Sequence, residues 1–133
     1  MTDLTGDINQ PDAHSAEAAV RWPEEFAESK RRLSRLTREQ QDALVATEEA
    51  ITQKASLLMK SGSLANSPEA QVLMAEHYRW VCAYWTPKRS AYIGLAEMYV
   101  SDERFKARYE RVATGLAEFM REAMTSYANA HLS

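Results

Sequence analysis

TREQQDALVATEEAITQKASLLMKSG, residues 37 to 62, sets the fold class. Thr37 followed three residues later by Gln40 is a capping box, in which each side chain satisfies the other's free backbone N–H at a helix start. Leu44, Ile51, Ala55 and Leu58 then fall at spacings of 7, 4 and 3, the apolar period of a helix, and Gly62 after Ser61 supplies its stop. The same grammar continues downstream. A polar connector, SGSLANS, leads to Ser67 and Pro68, which suit the N-cap and first turn of a helix running through Trp85, with Thr86 and Pro87 as the break. A further helix is expected from Lys88 to Val100. Ser101, Asp102 and Glu103 then open a short one bearing Phe105 and Tyr109. Thr114 is placed to cap the last, where Leu116, Phe119, Met120, Ala123 and Tyr127 form an apolar stripe.

Upstream, Ser15 suits the cap of a short helix to Trp22, and Pro23 the start of another through Phe26 toward Arg35. Residues 1–13, with Gly6, Pro11 and no periodicity, read as a disordered, mobile leader. No segment alternates over strand length. The expectation is an all-α bundle of about five to seven helices, one domain over residues 14–133.

Composition narrows the function. The chain has 133 residues, 45% hydrophobic and 26% charged, ordinary values for one globular domain with a real core. A net charge of -3 gives no general attraction to nucleic acid or anionic lipid, and the one basic run, KRRLSR at 30–35, follows Glu24, Glu25 and Glu28 at pairing distance. Cys82 is the single cysteine, which excludes an internal disulfide. With no signal-like N-terminus and no apolar run of spanning length, the chain reads as cytoplasmic, bound neither to membrane nor to nucleic acid.

HYRWVCAYW, residues 77 to 85, holds four of the twelve aromatic residues: Tyr78, Trp80, Tyr84 and Trp85. On a helix these, with His77, Val81 and Cys82, would cover about 200° of the surface, where an ordinary surface helix needs an apolar stripe of about 100°. Two readings stand: a central helix buried on several sides, or rings in excess of the core, offering flat apolar faces with polar tips to a ligand. Met74 and Met98 are open in the same way, as core or as an adaptable wall. Gly94, in mid-helix, costs about 1 kcal/mol relative to alanine, so it serves either tight helix packing or clearance for a ligand.

Catalytic and metal constellations are not apparent. His77 has Trp80 and Val81 at i+3 and i+4, where a chelating helix would carry ligands. Cys82 lies about 140° around the helix from His77, too far for mutual activation. The glycines are isolated, no GxSxG elbow occurs, and no pair of acids is marked out by spacing. The reading is therefore not an enzyme, with no cofactor and no metal.

Two runs, GLAEMYVSDERF at 94–105 and GLAEFMREAM at 115–124, resemble the antibiotic-recognition domain of the TipA family, the TipAS domain. VRWPEEFAESKRRLSRLT at 20–37 and HYRW at 77–80 are similar to its first helical region and its histidine-and-tryptophan segment, so the likeness spans about residues 19–128. The resemblance implies a compact, globin-like helical domain whose N-terminal helices, here 14–36, are a mobile lid closing on a large, rigid, thiazole-rich macrocycle. Full-length family activators carry a MerR-type DNA-binding domain for which 133 residues have no room. The resemblance thus implies a stand-alone drug-sequestering form. The family's reactive cysteine, which captures dehydroalanine-containing drugs covalently, aligns with Gly94. Capture here is expected to be non-covalent.

The combined expectation is binding and sequestration of a thiopeptide-like antibiotic, giving resistance or self-protection. The alternative is a helical protein-interaction module or dimerising regulator subunit. Expected ligand contacts are Trp22, Phe26, Met74, His77, Tyr78, Trp80, Tyr84, Trp85, Tyr92, Leu95, Met98 and Tyr99, with Gly94 as the clearance position; His77 is equally open to a structural role. Asp102, Glu103 and Phe105 are assigned to folding, and a monomer is expected over a homodimer.

Overall fold

Capping chemistry written into the chain sets the helix ends. The computed structural model describes residues 23–133, the side chains of Glu25 and Phe26 excepted; the proposed leader, the helix from Ser15 and Trp22 lie outside the described residues. Helix α1 spans Pro23–Ser34 and opens on proline, as expected. Glu28 holds Arg31 and Arg32 on its surface, so the basic run is largely paired.

Helix α2, Arg38–Lys60, has both capping-box bonds: the Gln40 N–H donates to Thr37 Oγ1 at 3.0 Å, and the Thr37 N–H to Gln40 Oε1 at 2.9 Å. It ends in a Schellman turn. Gly62 takes a left-handed φ of 89°, its N–H reaches the Met59 carbonyl and the Ser63 N–H reaches that of Leu58.

Helix α3, Pro68–Val81, is capped by Ser67 and ends four residues earlier than the spacing of its aromatics suggests. Residues 82–84 turn instead. Pro87 disfavours helical backbone only at Thr86, which places a break after Trp85 and does not account for the stop at Val81; beyond that stop the Cys82 carbonyl accepts from Arg32 Nη1 at 2.6 Å. The Tyr78 hydroxyl donates to the Pro87 carbonyl at 2.7 Å and draws this segment back over α3. Tyr84 and Trp85 therefore lie on a turn and connector, not on the helical wheel.

Helix α4, Arg89–Ser101, lacks a side-chain cap. The chain's far end substitutes: the Arg89 N–H donates to the Ser133 carbonyl and Arg89 Nε to that of Leu132, both at 3.0 Å. Asp102 caps α5, Glu103–Glu110, through the N–H groups of Arg104 and Phe105. Helix α6, Leu116–His131, corrects another expectation. Its N-cap is Gly115 at φ 91°, and the capping carboxylate is that of Glu110, which accepts from the N–H groups of Gly115 and Ala117 at 2.9 and 3.0 Å. Thr114 is exposed and makes no such bond, because left-handed backbone at Gly115 hands the free donors to α5.

All six elements among the described residues are helices, and the fold is all-α. Helix α6 packs most extensively on α4 and also meets α2, α3 and α5. Its stripe of Leu116, Phe119, Met120 and Ala123 is buried as expected, while Tyr127 is half-buried. Burial of each large apolar side chain there contributes about 1.5–3 kcal/mol. On α2, Ile51 and Ala55 are buried and Leu44 and Leu58 half-buried. From Arg38 to Thr47 no residue is fully buried, and the buried stripe of α2 begins at Glu48.

Candidate functional site

Helices α3 and α4 meet through a histidine and two tyrosines. His77, 1% exposed, sits with Nδ1 2.6 Å from the Tyr92 hydroxyl and Nε2 3.0 Å from that of Tyr99. Burial drops the His77 pKa to about 3, so the ring is neutral and has one donor and one acceptor. One tyrosine must therefore donate to it and the other accept. The same burial pushes the hydroxyls of Tyr92, Tyr99 and Tyr109 well above their ordinary range.

Rings extend from this node in both directions. Trp80 lies 5.5 Å from His77, and Tyr84 meets Trp80 edge-on at 5.4 Å. Tyr78 meets Tyr92 edge-on at 5.2 Å, and Tyr127 continues the line 5.9 Å from Tyr78. Tyr99 stacks on Tyr109 at 4.8 Å and on Phe105 at 5.2 Å. Burial lifts Tyr78 and Tyr84 to about 12, so every shifted group of this cluster is uncharged at neutral pH. The arrangement offers neutral aromatic faces with hydroxyl and indole tips.

The expected contact residues divide by depth. Met74, His77, Tyr92, Met98 and Tyr99 are buried. Tyr78, Trp80, Tyr84, Trp85, Gly94 and Leu95 are half-buried. Tyr78, Trp80, Trp85 and Leu95 lean on the main core, so much of their ring area does serve packing. The ring path joins Tyr84, Trp80, His77, Tyr92 and Tyr78, with Tyr99 branching from His77. Trp22 and the Phe26 side chain lie outside the described residues.

A polar group absent from the sequence expectation adjoins this path. Glu48, 5% exposed, accepts from Arg108 Nη2 at 2.9 Å and, on its other oxygen, from the Tyr109 hydroxyl and Thr52 Oγ1 at 3.2 Å each. Trp80 Nε1 donates to the Leu44 carbonyl at 2.9 Å, one turn before Glu48 on α2. The signal was present: the gap of seven between Leu44 and Ile51 is filled by Glu48 at helical spacing, and a carboxylate on an apolar stripe needs a buried partner. Among the described residues no group of three His, Cys, Asp or Glu could hold a metal ion, and no helix is long and apolar enough to cross a membrane.

Comparisons with known proteins converge on one family. The chain is 28% identical over 137 aligned positions to the HTH-type transcriptional activator TipA of Streptomyces coelicolor, covering 97% of this chain and 52% of that protein. It is 33% identical over 81 residues to the HTH-type transcriptional regulator SkgA of Caulobacter vibrioides, covering 59% of this chain and 32% of the regulator. The chain thus spans about half the length of these relatives or less. A solved structure of TipAS in complex with nosiheptide, from a thiopeptide antibiotic multidrug resistance system of Streptomyces lividans, superposes with a TM-score of 0.81 at 28% identity. That match covers 96% of this chain and 91% of the other, and the globin-like helical fold is shared. The model of the TipAS antibiotic-recognition domain matches residues 14–127, and the chain belongs to that family.

Proposed function

We propose that the chain binds and sequesters a thiopeptide-like antibiotic non-covalently, on the aromatic face of α3, α4 and the turn between them. The observation that carries this reading is the likeness, over nearly the whole chain, to a TipAS structure that holds nosiheptide. The local chemistry supports it: Tyr78, Trp80, Tyr84, Trp85 and Leu95 are half-buried, and flat rings with polar tips suit a rigid aromatic heterocycle. These residues meet the drug first, together with Trp22 and Phe26 from the front helices. Met74, His77, Tyr92, Met98 and Tyr99 form the wall behind, with Gly94 as the clearance position.

Binding returns the drug chemically unchanged, and protection follows from stoichiometry, in a monomeric, cytoplasmic protein that touches no nucleic acid. Tryptophan fluorescence tests this, since Trp80 and Trp85 lie in the face itself. Saturable quenching by nosiheptide at micromolar concentration is expected, and its absence across a panel of thiopeptides would overturn the reading.

A second reading, docking of a helical partner, draws on Leu57, Leu64 and Val72, which are 67%, 70% and 65% exposed. A solution mass separates the two. Sequestration predicts a monomer protected by drug, and docking a dimer indifferent to it.

A further inference from the structure

Trp80 and Arg108 are docked on consecutive turns of α2. The indole Nε1 meets the Leu44 carbonyl at 2.9 Å, and four residues on, the guanidinium Nη2 meets Glu48 Oε1 at 2.9 Å. One turn rises about 5.4 Å, so the two anchor points are neighbours along α2. The guanidinium's position is fixed. Glu48 is buried, and the Tyr109 hydroxyl and Thr52 Oγ1 hold its second oxygen.

The Arg108 side chain is 25% exposed, and the bond to Glu48 is its single hydrogen bond among the described residues. Nε and Nη1 therefore keep their donors, in a planar fork that a point-charge ammonium cannot imitate. Tyr84, edge-on to Trp80, carries a hydroxyl within electrostatic reach of both Glu48 and Arg108. The ring face carries a charged group at this corner.

We infer that Arg108 is a specificity-determining residue of this site, its free guanidinium edge donating to carbonyl oxygens on the rim of the peptide-derived macrocycle whose rings lie on Trp80 and Tyr84. Glu48 is its positioning residue. The inference rests on the proposed antibiotic-binding function and adds what apolar faces lack. Ring stacking tolerates many heterocycles, whereas an oriented, charge-assisted donor rejects a ligand that leaves it unpaired.

Nosiheptide is the probe. In the wild-type chain the Arg108 Nε–H resonance shifts on saturation with nosiheptide. Arg108→Lys, which keeps charge and stem but not the fork, weakens binding roughly tenfold while leaving the unfolding midpoint close to wild type. An unmoved Arg108 resonance, or unchanged affinity in a folded Arg108→Lys, overturns the inference and leaves the proposed function standing. If that variant does not fold, the wild-type resonance alone decides. A wild-type chain that does not bind nosiheptide overturns both.

Discussion

His77 Nδ1 lies 2.6 Å from the Tyr92 hydroxyl, in a part of the core where both side chains are almost fully buried. A buried neutral imidazole flanked by hydroxyls ties α3 to α4 more specifically than apolar contact could, because each polar atom tolerates one geometry. His77→Ala leaves two tyrosine hydroxyls unpaired, and at about 1–3 kcal/mol for each, a loss of about 3 kcal/mol in a urea melt is expected. His77→Gln, which keeps a donor and an acceptor, recovers part of it.

The same residue sets a pH dependence. Unfolded, His77 takes a proton below its ordinary 6.5; folded, it does so only near 3, because burial penalises the charged ring. The unfolded chain therefore binds more protons between these values, and stability falls as pH drops from 6.5 toward 3, by at most about 1.4 kcal/mol per unit. The carboxyls of Glu28 and Glu110, held low by the Arg32 and Arg31 guanidinium groups and by the N–H groups of Gly115 and Ala117 respectively, act in the same direction as pH falls through the region of 4.5 and below. Chemical unfolding of wild type and His77→Gln between pH 6.5 and 5.5, above the carboxyl range, assigns the effect to the histidine: His77→Gln flattens that interval.

Helix α6 depends on a cap from another helix. Glu110→Ala removes the acceptor for the Gly115 and Ala117 N–H groups and is expected to cost about 1–2 kcal/mol, read as a lower thermal midpoint. Thr114→Ala, by contrast, is neutral within about 0.5 kcal/mol.

How far the sequence discloses this molecule depends on the range of the interaction. Thr37 with Gln40, Ser67 with Pro68, Asp102 and Gly62 each act within a few residues, and each sits where its local chemistry places it. The cap from Glu110 and the docking of Leu132 and Ser133 on Arg89 come from chain that local pattern does not see. In the site, local spacing singles out Tyr78, Trp80 and His77 as neighbours. It cannot foresee that both nitrogens of His77 are taken by tyrosines 15 and 22 residues away. Glu48 was legible as an interruption of the α2 stripe, but its partners Arg108 and Tyr109 lie 60 and 61 residues on.

Trp80 has a dual role, and one substitution separates its parts. Trp80→Phe keeps a ring but loses the donor to the Leu44 carbonyl, so stability falls by about 1 kcal/mol while nosiheptide binding weakens severalfold. Paired urea and fluorescence titrations, the latter read on the remaining Trp22 and Trp85, check both.

Non-covalent capture has its own test. With Cys82, the single cysteine, half-buried at the end of α3, incubation with a dehydroalanine-containing thiopeptide leaves the denatured protein at its unmodified mass. An added drug mass locates a thiol reaction at Cys82.

Enclosure of a thiopeptide and its release unaltered are read together by isothermal titration calorimetry with nosiheptide, followed by mass spectrometry of the drug extracted from the complex. Saturable binding at one drug per chain and recovery of unmodified nosiheptide are expected. No saturable heat, or a chemically altered drug, rules sequestration out.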